Sequence, residues 1–160
     1  MLSRSMEHYI RKLLTGEAQK NALEFAAYLR ANGLVFVRGK GYWEDKCYWA
    51  VKYRGEYVGF ILVNGYGSVG DETEPEGWIF WSDNYISGLF ADFPLDDRTK
   101  EIAFEHIDFG TCGGGITVKL FGKEFYPVCN GTTFRFNNPN TETLACVKKL
   151  VDIRKNDIQR

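Results

Sequence analysis

The hydrophobic pattern of this chain changes its period after Gly33, and this change constrains the fold more than any other feature. Before Gly33, apolar residues recur three or four positions apart in two stretches, which predicts a short N-terminal helix and a second helix from Glu17 to Arg30. The second helix is predicted to end at Asn32-Gly33, a pair that accepts left-handed backbone. After Gly33 the segment LVFVR is β-branched and aromatic, which is typical of a strand. The chain therefore combines helices with strands.

The middle of the chain predicts a β-hairpin, a further strand and a third helix. The segments YWEDKCYWAVKY and EYVGFILVNG are joined at Arg54-Gly55, which can turn the chain, and WIFWS resumes as a strand. A helical stripe that reaches His106 follows, with Asp96 or Asp97 as its N-cap and an end near Asp108.

The last part of the chain predicts three short strands and a closing helix. The strands are ITVKLFG, KEFYPVC and TTFRF, and Pro127, which has no N–H to donate, indicates a sheet edge. The closing helix is predicted to begin at Asn138-Pro139, with Asn as the N-cap and Pro as the first helical residue. The order α-α-β-β-β-β-α-β-β-β-α predicts a single α+β domain over residues 1–160, with a mainly antiparallel sheet and helices packed on it.

The composition is typical of a soluble globular protein without a strong charge bias. The chain has 160 residues, with 20 Lys and Arg against 21 Asp and Glu, and the resulting net charge of −1 disfavours binding to nucleic acid. No apolar run is long enough to cross a membrane, so no membrane association is expected. The four cysteines, Cys47, Cys112, Cys129 and Cys146, have no short spacing, which favours reduced thiols in the cytoplasm. The pattern indicates no cofactor and no metal site.

Two motifs with possible chemistry have simpler explanations. Gly65-Tyr66-Gly67-Ser68-Val69-Gly70 spells G-x-G-x-x-G, but the acidic residues 71–76 follow it in place of a helix, which favours a surface loop or lid over a nucleotide site. The alternative to a binding function is an enzyme that uses Cys112 and His106, because a thiolate beside an imidazole could carry out thiol-dependent or hydrolytic catalysis. His106 also lies on the apolar stripe of its helix, which favours a structural role. These observations favour a protein that is not an enzyme, and no catalytic residue is assigned.

Aromatic residues make up 16% of the chain and concentrate in residues 42–81, which contain all four tryptophans. Strand parity places Trp43 and Trp49 on one face of the hairpin and Trp78 and Trp81 on opposite faces of one strand, so the rings cannot all enter one core. Core packing accounts for most of them, and the others are predicted to line a pocket for a flat, apolar or cationic small molecule. The predicted ligand-binding residues are Trp43, Trp49, Tyr53, Trp78, Trp81 and Arg38. Alternatively, the rings form a self-association patch that makes a homodimer.

Two segments of the chain resemble a group of small bacterial proteins of unknown function. The motif W-x-V-K-Y occurs in CYWAVKYRGEYVGFILVNG, and K-K-L-x-x-I-R-K occurs in CVKKLVDIRKND. The resemblance covers half of the chain and implies a bacterial origin and a helix-and-hairpin fold. The two helix-and-hairpin halves also look like gyrase-inhibitor-like effector-binding domains, which implies binding of small hydrophobic or cationic molecules between aromatic walls. We therefore expect a non-catalytic small-molecule-binding or sensing domain.

Overall fold

A computed structural model describes residues 4–40, 47–63, 77–85, 88–109, 115–128 and 132–160 of the chain. Within these residues the helices are α1 (Met6–Leu13), α2 (Gly16–Ala31), α3 (Gly88–Ala91), α4 (Asp97–Glu105) and α5 (Thr141–Gln159). The strands are β1 (Val35–Arg38), β2 (Tyr48–Tyr53), β3 (Glu56–Val63), β4 (Trp78–Ser82), β5 (Ile107–Phe109), β6 (Ile116–Leu120), β7 (Lys123–Val128) and β8 (Thr132–Asn137). The predicted α+β class and the order of the main elements are confirmed.

The main sheet is antiparallel and has six strands in the order β1-β2-β3-β4-β8-β5, while β6 and β7 form a separate two-stranded sheet. The predicted turn at Arg54-Gly55 is confirmed, and both residues have positive φ angles, 52° and 81°. Pro127 lies in β7, which pairs with β6 alone among the described strands, so its predicted edge position is confirmed. No helix in the described part of the chain is long and apolar enough to cross a membrane.

The hydrophobic core lies between the helices and one face of the main sheet. Phe25 of α2 packs against Trp78 and Phe80 of β4, with ring centroids 5.8 Å and 5.2 Å apart. The apolar side of α5 is buried against this core through Leu144, Val147, Leu150 and Val151. Burial of each such side chain stabilises the fold by about 1.5–3 kcal/mol.

The structure adds two short elements, α3 and β5, that periodicity does not predict. They have four and three residues, too few to show a repeat. Because β5 pairs with β8, α4 ends at Glu105 with His106 as its C-cap, and not near Asp108. At the other end of α4, Asp96 is the N-cap, since its carboxylate accepts a hydrogen bond from the Thr99 N–H at 2.9 Å.

The predicted start of the closing helix is wrong. Asn140 is the N-cap of α5, and its side chain accepts a hydrogen bond from the Thr143 N–H at 2.9 Å. Asn138 has a φ of 44°, and its side chain instead accepts a hydrogen bond from the Trp78 N–H at 3.0 Å. Both asparagines fit the N-cap pattern, and the contact of Asn138 with β4 decides which of them caps the helix.

Candidate functional site

The predicted ligand-binding tryptophans lie on two opposite faces of the main sheet. Trp49 and Trp78 face the helices and are 3% and 1% exposed. Trp81 lies three residues after Trp78, faces the other way and is half-buried, so the parity prediction for these two residues is confirmed. Trp43 lies outside the described residues.

The other two predicted residues lie near opposite ends of β2. Tyr53 is buried at the last position of β2, and its hydroxyl accepts a hydrogen bond from the Gln159 side chain. The Cζ atom of Arg38 lies 4.7 Å from the ring centroid of Trp49 and 4.8 Å from that of Tyr9. The structure therefore brings Arg38 and Trp49 together, and the sheet separates both of them from Trp81.

The face of the main sheet opposite the described helices carries a row of side chains in lateral register. The row crosses five strands through Val37, Ala50, Phe60, Trp81 and Arg135. Flanking positions of the same strands add Val35, Tyr48, Lys52 and Tyr57. We call the surface formed by these residues the open face. At one end of this face, Leu62 and Ile79 are buried but belong to no part of the core cluster beneath the helices.

Four rings of the open face contact one another and form what we call the open-face aromatic cluster: Tyr48, Tyr57, Phe60 and Trp81. Phe60 is central, and its ring centroid lies 5.8 Å from that of Tyr48, 5.7 Å from that of Tyr57 and 6.0 Å from that of Trp81. Aromatic pairs attract one another at separations of about 4.5–7 Å, so the rings hold each other in position. Tyr57 is 45% exposed and the other three rings are half-buried.

A β-bulge in β3 places Tyr57 and Phe60 on the same face. The register between β2 and β3 shifts after Val51, which pairs with Gly59, and Val58 is left as an extra residue. In a regular strand, residues three positions apart point to opposite faces, and an extra residue reverses this relation. Tyr57 therefore joins the cluster because of the bulge.

The carbonyl groups at the bulge accept hydrogen bonds from other parts of the chain. Arg154 of α5 donates to the Tyr57 carbonyl at 3.0 Å and 3.2 Å. The Val58 carbonyl accepts from the Tyr85 hydroxyl and, at 3.2 Å, from the Asp83 N–H. Residues distant in sequence thus hold the backbone that orients Tyr57.

Two cations lie against rings of the cluster. The Nζ atom of Lys52 is 4.4 Å from the ring centroid of Tyr57, and the Cζ atom of Arg135 is 5.8 Å from that of Trp81. Burial lowers the pKa of Arg135. Burial, with a smaller effect of Tyr57, raises the pKa of Tyr48 to about 12, so the Tyr48 hydroxyl stays neutral at physiological pH. Lys52 has no carboxylate within ion-pair distance in the described part of the chain.

Two surface grooves of the described residues lie away from these rings. One has a volume of about 410 Å³ and runs along α4; the other has a volume of about 480 Å³ and lies beside α3. The first is lined by Asp97, Lys100, Glu101, Phe104 and Glu105. Neither groove contains a predicted ligand-binding residue, so neither provides the aromatic-walled pocket expected from the sequence.

The described residues do not assemble a thiol–imidazole pair. The ring of His106 stacks on Phe136 with centroids 4.7 Å apart, and its Nδ1 atom lies 2.8 Å from a carbonyl oxygen of its own helix. Burial raises the pKa of Cys47, and raises that of Cys146 to about 12, so both are protonated thiols at neutral pH. Cys112 lies outside the described residues, and its pairing with His106 stays a prediction. Among the residues described, no group of three or more His, Cys, Asp or Glu side chains is placed to hold a metal ion.

The fold and these contacts define an α+β protein whose antiparallel sheet carries an aromatic cluster on the face opposite its described helices. Comparisons with family models, curated proteins and solved structures found no match.

Proposed function

We propose that this protein is a non-catalytic small-molecule-binding or sensing domain, in which a flat ligand binds against the open-face aromatic cluster. The observation that carries the proposal is the set of four contacting rings on the face away from the core. Rings that only fill a core are buried beneath the helices, as Phe25 and Trp78 are, whereas Tyr57 and Trp81 keep part of their surface exposed. A cytoplasmic location and kinship with the bacterial group are parts of the same proposal.

The cluster suits a planar ligand because its rings are already ordered by one another. Phe60 contacts three other rings, so a ligand that stacks on it would immobilise few additional rotamers. Covering apolar surface contributes about 25 cal/mol per Å², and this term would be the main source of affinity.

The charges of the open face favour some ligands over others. The ligand expected from the sequence could be cationic, and the acidic residues 71–76 lie outside the described residues. Within the described face, the ammonium group of Lys52 lies against Tyr57, and no carboxylate of the described residues lies within ion-pair distance of it. A planar ligand that is apolar or carries an anionic substituent is therefore favoured over a cationic one.

The proposal is tested with naphthoate, naphthamide and naphthylmethylammonium, which share one ring system and differ in charge. We expect naphthoate, and more weakly naphthamide, to quench tryptophan fluorescence and raise the melting temperature, because a ligand at about 100 times its Kd adds about 2.7 kcal/mol of stability. Trp81→Leu should lose the rise in melting temperature that naphthamide causes. In Phe60→Leu, which keeps Trp81 as the fluorescent reporter, the compounds should no longer quench the tryptophan fluorescence. Tyr126→Ser, which alters a ring that is 70% exposed on β7, is the matched control and should respond like the wild type.

Two results would contradict ligand binding at the open face. One is that none of the three compounds changes the melting temperature or fluorescence of the wild type. The other is that Trp81→Leu and Phe60→Leu respond as strongly as Tyr126→Ser, which would place any binding elsewhere.

Self-association is the second candidate, because exposed valines extend the aromatic surface to the edge strand. Val35 and Val37 of β1 are 54% and 40% exposed and lie in register with Lys52 and Ala50 of the open face. Contiguous exposed apolar surface of this kind marks association sites. A concentration-dependent dimer in sedimentation experiments, dissociated by Val37→Lys, would support self-association. A monomer at all concentrations would contradict self-association and leave ligand binding as the remaining candidate.

A further inference from the structure

One arginine on the helix-covered side of the sheet lies against two aromatic rings and has no carboxylate partner among the described residues. Arg38, the last residue of β1, lies over Tyr9 of α1 and Trp49 of β2, at 4.8 Å and 4.7 Å from Cζ to the ring centroids. The two rings contact each other at 5.6 Å. In the described part of the chain, no oxygen atom accepts a hydrogen bond from the Arg38 guanidinium.

The nearby Arg30 shows the arrangement of an arginine whose donors are used within the fold. Its Cζ atom also lies over a ring, 4.5 Å from the centroid of Phe36. However, its Nε and Nη2 atoms both donate to the carboxylate of Glu7, at 2.5 Å and 3.0 Å. Arg38 shares the ring contact with Arg30, but among the described residues the hydrogen-bonding partner of its side chain is the Cys47 thiol and not a carboxylate.

We propose that Arg38 binds an oxyanion, namely the carboxylate or phosphate group of a small molecule. A guanidinium presents paired N–H groups that match two oxygen atoms of such an anion. The contacts with Tyr9 and Trp49 restrict the side chain beforehand and reduce the entropy lost on binding. This site lies on the opposite side of the sheet from the open-face aromatic cluster and does not depend on ligand binding there.

Cys47 lies close enough to the site to report on it. Burial raises the pKa of its thiol, and the charges of Arg38 and Lys12 act in the opposite direction, with Arg38 also a hydrogen-bonding partner. An anion bound to Arg38 would offset these positive charges. The thiolate fraction would then fall, and alkylation of Cys47 would become slower.

The experiment measures the rate at which iodoacetamide alkylates Cys47 in the full chain, with peptide mass spectrometry to separate this cysteine from the others. Acetate, inorganic phosphate and chloride are compared at equal ionic strength. We expect acetate, phosphate or both to slow the reaction about threefold or more in a saturable manner, and chloride to have no such effect. Arg38→Gln should abolish the response, and Arg30→Gln, the matched control, should retain it.

Each outcome decides the proposal. A response to acetate alone identifies a carboxylate ligand, and a response to phosphate alone identifies a phosphate ester. No response to acetate or phosphate, equal responses to all three anions, or a response that persists in Arg38→Gln would overturn the proposal. If circular dichroism shows that Arg38→Gln does not fold, Arg38→Lys replaces it, because lysine keeps the charge but lacks the paired donors. Alkylation of Cys47 in Arg38→Lys should respond more weakly to the anions than in the wild type. An unchanged response would count against the site. The naphthamide titration should be the same in these variants, because naphthamide has no oxyanion for Arg38 to bind, so the two proposals can fail separately.

Discussion

At the scale of single residues, Gly59 decides how closely β3 and β4 approach. A Cβ atom at this position would lie 2.5 Å from Cε2 of Phe80 and 2.7 Å from the carbonyl oxygen of Trp81. We expect Gly59→Ala to lower the free energy of unfolding by about 1–3 kcal/mol in urea titrations, because backbone and ring must both shift. Gly88→Ala, where a Cβ meets no atom within 4 Å, is the control and should change it by less than about 0.5 kcal/mol. Equal effects of the two substitutions would contradict this packing.

The residues of the aromatic cluster were only partly predictable from the sequence. Trp78 and Trp81 are three positions apart in a regular strand, so parity alone places them on opposite faces. Tyr57 and Phe60 are also three positions apart, and the same rule separates them, yet the extra residue Val58 brings them to one face. The groups that bind the bulge come from α5 and from the segment after β4, so no local pattern reveals it.

At the scale of elements, length decided what could be predicted. The helices α2 and α5 have 16 and 19 residues, and their apolar stripes repeat over several turns. The short elements α3 and β5 depend on contacts with distant residues: the Phe121 N–H donates to the Phe90 carbonyl of α3 at 2.8 Å, and β5 pairs with β8. Such contacts leave no repeat in the sequence.

The contact between α1 and α2 includes an ion pair that should respond to pH. The hydrogen bond from Arg30 holds the pKa of Glu7 below its usual range. Because this pKa is lower in the folded state, the pair stabilises the fold above the unfolded-state pKa, and the stabilisation is lost as the pH falls through the lowered value. We expect the melting temperature of Glu7→Gln to lie below that of the wild type at pH 7 and to converge with it in acid.

The control for this pH experiment is Glu105→Gln, which alters an exposed carboxylate at the end of α4. Its melting temperature should follow that of the wild type at every pH. A difference between Glu7→Gln and the wild type that stays constant from neutral pH into acid would show that the carboxylate charge of Glu7 does not stabilise the contact between α1 and α2.

At the scale of the whole molecule, the strand order predicts a gradient of local stability. β3 and β4 lie inside the main sheet, and β1 and β5 lie at its two ends. In native-state hydrogen exchange followed by NMR, we expect the amides of β3 and β4 to exchange most slowly and those of β1 and β5 much faster. The separate β6–β7 sheet is an internal reference and should also exchange faster than β3. Equally slow exchange in β1 would contradict the gradient and would favour a partner at that edge.

The order of the elements sufficed to predict the fold class, because strands in runs with helices between them favour an antiparallel sheet covered by helices. The distribution of rings between the two sheet faces was less predictable. Trp49 and Trp78 were expected beside a ligand and lie in the core, while the half-buried rings of Tyr48 and Phe60 belong to the open-face aromatic cluster. The positions of the aromatic residues in the sequence located the aromatic region, but strand register determines which of its rings reach the protein surface.

The position of β8 inside the main sheet has a consequence for biosynthesis. β8 pairs with β4, and α5 packs on α2, α4 and β3, so residues 132–159 complete both the sheet and the core. A ribosome adds about 5–20 residues per second, so these residues emerge several seconds after β3 and β4. During that interval the apolar segment EYVGFILV has no α5 to cover it. The nascent chain must therefore pass through a stage in which chaperones or neighbouring chains have access to the surface that later becomes its core.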